Sequence, residues 1–199
     1  MLIITGPGRC GTSCLAAVLK AAHCDPGGDW HPASEIRAGF EDPKVVAINS
    51  TILEGRDDLR TEVHIQNVQR LVVKDPLFTV DGAKPLKHWW RHRKDLRVLL
   101  LVREPRRILA SLAAHPEYFP GVDSEDHNTL IATYWRRGVE TAAFCLRAGI
   151  PLRMLTFPDF LSQYSRVEKA LLGFGKLPVP AEWLRAAWEK VVDVGKVRF

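Results

Sequence analysis

Leu2-Ile3-Ile4-Thr5 runs directly into Gly6-Pro7-Gly8-Arg9-Cys10-Gly11-Thr12-Ser13, and the reading of this stretch decides the fold. Its first four residues have the apolar, β-branched composition of a short buried strand. The glycines and proline that follow oppose regular structure and mark a loop. From Thr12 to Ala22, Leu15, Val18 and Leu19 recur at helical spacing and form one apolar face. A strand, a glycine-rich loop and a helix in that order suit a phosphate: loop amides face it and the helix start adds its positive end. The loop spacing is G-x-x-x-x-G-T-S, with Thr12 where a Walker A loop carries its lysine. Arg9 offers positive charge through a planar fork of donors, and Thr12 and Ser13 offer hydroxyls. No carboxylate follows a strand in the manner of a magnesium ligand; the most apolar strand runs into Arg103 instead.

Outward from this unit, strands are expected at Arg70–Val73, Arg97–Val102 and Leu152–Thr156. Between them lie helical patterns. One starts at Asp42-Pro43, with Asp as cap and Pro in the first turn, and runs to Leu53 with Val46, Ile48 and Ile52 inward. Others span Leu59–Val68 and Pro105–Ala114. A long one runs from a cap at Asp123 or Ser124 to Ala148, where Gly149 stops it. Two more, near Ser165–Leu172 and Pro180–Val191, finish the chain. Strands alternating with helices predict an α/β fold: a three-layer, P-loop-like domain with a mostly parallel central sheet, over 1–199 as a single domain. Ligands in such sheets bind beyond the carboxyl ends of the strands. Gly6–Ser13, Lys74–Pro76 and Arg103–Ser111 all fall there.

Composition agrees with a folded chain. Of 199 residues, 46% are hydrophobic and 26% charged, which excludes a disordered or fibrous class. No apolar run is long enough for a transmembrane segment. Leu2–Ile4 breaks at once into Gly6 and Pro7, which argues against a secretory leader, so a cytoplasmic location is expected. Cys10, Cys14, Cys24 and Cys145 are too few and irregular for a disulfide framework, and reduced thiols are expected. Cys10 and Cys14 lack the second pair of ligands a metal site needs, so no metal is expected. Twenty-eight Lys and Arg against 23 Asp and Glu give +5, a balance that suits an anionic ligand. Arg91-His92-Arg93-Lys94 reads as a solvated loop or helix end. No nucleic-acid-binding motif accompanies it, and nucleic acid is not an expected partner.

Arg103 is the second anchor. It follows the strand, Pro105 opens a helix, and Ser111 lies on that helix eight residues after Arg103. Arg103 can grip a phosphate with two parallel hydrogen bonds while Ser111 donates a third. The chain here resembles the sulfotransferases that use 3′-phosphoadenosine 5′-phosphosulfate. Gly8-Arg9-Cys10-Gly11-Thr12-Ser13 is similar to their 5′-phosphosulfate loop, often PRSGTS, with Gly8 for Pro and Cys10 for Ser. Arg103 and Ser111 match the spacing of their 3′-phosphate signature. Three further stretches resemble small bacterial members: Gly39-Phe40-Glu41-Asp42 with Asn49 downstream, Val73-Lys74-Asp75-Pro76, and Phe157-Pro158-Asp159-Phe160-Leu161 followed by Leu177-Pro178-Val179-Pro180. The family's late glycine-rich basic segment has only Gly195-Lys196-Val197-Arg198 as a counterpart.

The resemblance implies in-line transfer of a sulfuryl group from that donor to a hydroxyl or amine of a small-molecule acceptor, without a metal. It implies donor binding by Gly8, Arg9, Cys10, Gly11, Thr12, Ser13, Arg103 and Ser111, with Arg9 stabilising the leaving group. Glu41 is the first candidate for the base, its other reading being an acidic helix start. Lys74 either binds the sulfonate or orients an acceptor, or else pairs with an acid such as Asp75. His23 and His31 are alternative bases; His115 and His127 fall near an acceptor entrance. Asp159 reads as a helix cap. Trp30, Phe40, Trp89, Trp90, Phe119 and Trp135 line either a ligand pocket or the core. A homo-oligomer is compatible with so short a chain. Two other functions fit the loop: a magnesium-dependent nucleotide or small-molecule kinase, and a nucleotide-binding protein without turnover.

Overall fold

A computed structural model describes residues 1–29, 39–56, 58–114 and 127–192. Four strands, β1 (Leu2–Thr5), β2 (Val72–Lys74), β3 (Arg97–Arg103) and β4 (Leu152–Phe157), form one all-parallel sheet in the order β2-β1-β3-β4. Ile3 pairs with Val73, Ile4 with Leu99 and Leu100 with Met154. Side chains alternate across the sheet, as the two-residue repeat of a strand requires. Leu2, Ile4, Val72, Leu99 and Leu101 pack on one face and Ile3, Val73, Val98 and Leu100 on the other, all buried.

Each face carries its own helical layer. On the first lie α1 (Thr12–Ala21), α5 (Pro105–Ala113), α7 (Asp159–Ser162), α8 (Tyr164–Glu168) and α9 (Ala181–Val191), through Leu15, Leu19, Ile108, Phe160, Val167 and Leu184. The second holds α2 (Pro43–Leu53), α3 (Leu59–Gln66), α4 (Lys84–His92) and α6 (His127–Ala148), through Val45, Ile52, Ile65, Trp89 and Cys145. The chain leaves β1 toward β2, then returns past β1 to reach β3. Strand order therefore reverses between β1 and β3, the point where open α/β sheets bind ligands.

Several boundaries differ from the sequence reading, each for a physical reason. The second strand starts at Val72 and includes Lys74, because the Arg70 guanidinium is tied to Asp25 and Asp42 outside the ladder. Helix α4 is absent from the reading. It buries only Pro85, Leu86, His88 and Trp89 and begins at Ala83 without a side-chain cap, so its apolar signal is thin. Within α2 the buried register is Val45, Ile48, Asn49 and Ile52 rather than Val46, Ile48 and Ile52. The expected helix at Ser165–Leu172 becomes α8 followed by a wider π turn over Lys169–Phe174. Gly149 does end α6, in the left-handed backbone that glycine tolerates (φ 67°). The expected caps Asp123 and Ser124 lie outside the described residues. Among those residues, no helix is long and apolar enough to cross a membrane.

Candidate functional site

The loop after β1 is held against β3 by close backbone approach. A Cβ at Gly6 would lie 2.5 Å from the Leu101 carbonyl, and one at Gly11 only 2.3 Å from the Phe157 ring. Gly8, Arg9 and Gly11 have φ of 106°, 52° and 82°. At Gly8 and Gly11 that conformation costs little; at Arg9 it is a strained backbone held by its surroundings. The Arg9 carbonyl accepts from the Arg103 guanidinium at 3.1 Å, and Arg9 Nε donates to Ser111 Oγ at 3.1 Å. Residues from two strand exits and the first helix after β3 thus meet at the reversal point. Helix α1 starts at Gly11 without a side-chain cap, the arrangement in which a bound anion can complete the helix start.

Arg103 is 8% exposed and lies over the Phe157 ring, 4.7 Å from its centroid. Its Nε is buried and has no hydrogen-bond partner among the described residues. Burial lowers the pKa of both Arg9 and Arg103, against an upward pull on Arg9 from Tyr134 and on Arg103 from Cys10. Guanidinium starts so high that both remain cations at neutral pH. An unsatisfied buried donor on a cation is costly, and an incoming anion would relieve that cost.

The β2 exit is built differently. Lys74 is 1% exposed, and its ammonium donates to Ser13 Oγ at 3.0 Å, to the Gly39 carbonyl at 2.9 Å and to the Glu41 carboxylate. Burial pushes its pKa down, opposed by Glu41. The acid that Lys74 pairs with is therefore Glu41, not Asp75. The capping role considered for Glu41 falls to its neighbour: Asp42 accepts from the Lys44 and Val45 amides and also pairs with Arg70. Glu41 is thus free of the helix start and placed against Lys74.

Of the loop residues, Thr12 and Ser13 open α1 and are nearly buried. Ser13 Oγ accepts from Lys74, so its own hydrogen remains available to donate. Cys10 lies in the loop, outside α1, with its side chain turned inward. Its thiol donates to the Gly8 carbonyl at 2.9 Å, and burial pushes it up to about 12. Any ligand contact from Cys10 is a backbone contact. All four cysteines are free thiols.

Other candidates are dispersed. His23 meets the Trp183 ring edge-on, past the far end of α1, about 15 Å along the helix from the loop. His127 opens α6 and is exposed. Asp159 does not cap α7; its side chain pairs with Arg166. Trp89 is fully buried in the core, and Phe40 is buried against Ala16 and Ala17 of α1. Trp90 is half-buried with Lys94 over its ring. Trp30, His31, His115, Phe119 and Gly195–Arg198 lie outside the described residues. Trp135 does line a cavity, of about 330 Å³, beside Arg103 with Pro7, Val102, Ile108 and Met154. Two site features escaped the sequence reading. Phe157 forms a platform under both Gly11 and Arg103, and its signal was its place at the end of β4 beyond the expected strand. Tyr134 reaches Gly8, where an added Cβ would stand 3.3 Å from its ring; nothing in its helical spacing marks that contact.

The fold and the loop together define an α/β protein with a phosphate-loop-like site at the sheet's reversal point. Among solved structures, the sulfotransferase domain from the curacin biosynthetic pathway is similar to this chain. The TM-score is 0.59 at 14% sequence identity, over 92% of this chain and 76% of that one. This likeness shows a sulfotransferase-like fold. No protein-family model matches the sequence, and no curated protein does.

Proposed function

We propose that the chain transfers a sulfuryl group from 3′-phosphoadenosine 5′-phosphosulfate to a hydroxyl or amine of a small-molecule acceptor. The observation that carries this reading is the meeting of Arg9 and Arg103 at one point, with the Arg103 Nε buried and without a partner among the described residues, beside the uncapped start of α1. Two cations from different strand exits suit a ligand with two separated anionic groups. The donor, when bound, supplies the sulfuryl group and carries away its phosphate as the leaving group.

Each residue then has a definable task. The loop amides from Gly8 to Ser13, with the Thr12 and Ser13 hydroxyls, hold the 5′ end. Arg103 and Ser111 hold the 3′-phosphate. Arg9 stabilises charge on the departing oxygen, the kind of preorganised electrostatic help that dominates such transfers. Lys74, whose three donors go to Ser13, Gly39 and Glu41, supports the sulfonate through its charge alone, and Glu41 takes the acceptor proton.

The kinase reading is disfavoured by one observation. The Lys74 ammonium sits 3.0 Å from Ser13 Oγ, the hydroxyl that would face magnesium in a Walker loop. A cation there repels a second one. Calorimetric titration with 3′-phosphoadenosine 5′-phosphate, ADP and magnesium-ATP tests the proposal directly. Preference for the 3′-phosphorylated nucleotide supports it; preference for magnesium-ATP overturns it. Binding of the 3′-phosphorylated product with no transfer to any acceptor would favour a nucleotide-binding protein without turnover.

A further inference from the structure

Behind Lys74 runs a polar chain that the proposed chemistry does not use. Trp89 Nε1 on α4 donates to Asn49 Oδ1 on α2 at 2.8 Å, and Asn49 Nδ2 donates to Asp75 Oδ2 at 2.8 Å. The other Asp75 oxygen accepts from the Leu77 amide at 2.9 Å. Trp89 and Asn49 are fully buried and Asp75 is 1% exposed. An indole can only donate, so the Asn49 carbonyl must face it and the Asn49 amide must face the carboxylate. The amide cannot flip without breaking both bonds. Phe78 packs edge-on against Trp89, with ring centroids 5.4 Å apart, and fixes the far end of the chain.

The near end is stitched to the end of β1, just before the loop. The Asp75 amide donates to the Ile4 carbonyl at 3.2 Å, and Thr5 Oγ1 donates to the Asp75 carbonyl at 2.8 Å. Thr79 Oγ1 reaches the Gly6 carbonyl at 3.4 Å. Asp75 therefore holds the exits of β1 and β2 together, immediately after Lys74. Well-packed apolar residues often replace a buried polar network without loss of stability, so the geometry that this chain fixes is the better explanation of it.

We infer that Asn49 and Asp75 are positioning residues, which with Trp89 hold the Lys74 ammonium and the phosphate loop in register for the transfer step rather than for donor affinity. This rests on the sulfuryl-transfer reading for its functional half. The charged groups facing Asp75 are Lys74 and Glu41. Burial pushes Asp75 up to about 6, against the pull of the Leu77 and Asn49 bonds.

Two experiments separate this inference from the reading beneath it. Asn49→Asp keeps the side-chain size and the acceptor for Trp89 but places a second carboxylate against Asp75. Its kcat should fall about tenfold or more, while affinity for 3′-phosphoadenosine 5′-phosphate changes less than about threefold. Trp89→Phe, which removes the donor from the far end together with part of the ring volume, should show the same split if Asn49→Asp does not fold. An unchanged kcat, or kcat and affinity falling in proportion, overturns the inference. If the parent transfers to no acceptor, the sulfuryl-transfer reading fails, and a readout without turnover decides the positioning. The indole N–H resonance that disappears in Trp89→Phe should titrate near pH 6 in the parent, remain flat in Asp75→Asn, and titrate at higher pH in Lys74→Met. A flat parent resonance, or the same midpoint in Lys74→Met, would show that the chain is not coupled to Lys74.

Discussion

The two strand exits that flank the Gly6–Ser13 loop treat their cations in opposite ways. At the β2 exit, Lys74 is wholly enclosed and its donors are spent on Ser13, Gly39 and Glu41, with the Asp75 chain behind. At the β3 exit, Arg103 gives one bond to the Arg9 carbonyl and keeps a buried Nε with no partner among the described residues. A satisfied cation is a fixed part; an unsatisfied one is a socket. The contrast teaches that donor affinity should reside in the arginine corner and the geometry of the transfer step in the lysine corner.

Arg9 spans the division, since its carbonyl serves Arg103 while its side chain, which donates to Ser111, is proposed to stabilise the leaving group. Arg9→Ala should therefore have the largest effect, lowering kcat by about 10³-fold, as removal of a preorganised charge does. Single-turnover rates with saturating donor check it, and a loss confined to donor affinity would move Arg9 wholly into the binding corner. Glu41→Gln should lower kcat by about 10²-fold through loss of the base. It also removes the Lys74 ion pair, so affinity for 3′-phosphoadenosine 5′-phosphate must be measured on the same sample. If affinity falls as far as kcat, Glu41 is a structural partner of Lys74 and the base lies elsewhere. Arg103→Ala should act in the reverse sense. Loss of a charge-assisted contact worth about 2 kcal/mol weakens that affinity by about 30-fold, with the preference over ADP shrinking in step. Calorimetry with both nucleotides checks it.

Much of the arginine corner was legible in the sequence because it is local. Gly8 to Ser13 is one continuous loop and helix start, and Arg103 and Ser111 lie eight residues apart across the β3–α5 junction. The sheet was legible for the same reason: each strand is a short apolar run bounded by breakers. The lysine corner was not. Lys74 and Glu41 come from separate elements, and only the folded chain decides that the acid beside Lys74 is Glu41 rather than the adjacent Asp75. Asn49 was hidden by phase. With Val45 taken in place of Val46, the buried stripe of α2 passes through Asn49, and a polar residue on such a stripe points to a buried partner. Helix α4 was missed because its charged and aromatic residues mask a narrow apolar face, and with it went the role of Trp89.

The lysine corner also makes a prediction in pH. Asp75 is raised to about 6 in the fold, above the usual carboxylate range. A raised carboxyl binds more protons folded than unfolded, so its contribution to stability declines as pH rises from about 4 to about 6 and is level above that. The size is on the order of 3 kcal/mol at most, from the distance between the ordinary carboxylate value and about 6. Urea midpoints at several pH values, parent against Asp75→Asn, isolate it. The difference between the two should change below pH 6 and stay constant above; a difference independent of pH would mean that Asp75 is ionised throughout.

The smallest effect belongs to Ser111, and it tests the division most finely. Its oxygen accepts from Arg9 Nε, yet the proposed donor site asks its hydroxyl to reach the 3′-phosphate. One hydroxyl can do both, because the oxygen accepts while its hydrogen donates. Ser111→Ala should then cost about 1 kcal/mol, roughly fivefold in affinity for 3′-phosphoadenosine 5′-phosphate, and less than that for ADP. A double-mutant cycle with Arg9→Ala gives the remaining information. If the two losses add, Ser111 acts on the nucleotide independently of Arg9 and belongs to the socket. If the double variant is no worse than Arg9→Ala alone, Ser111 works only by holding the Arg9 side chain, and the arginine corner contains a fixed part of its own.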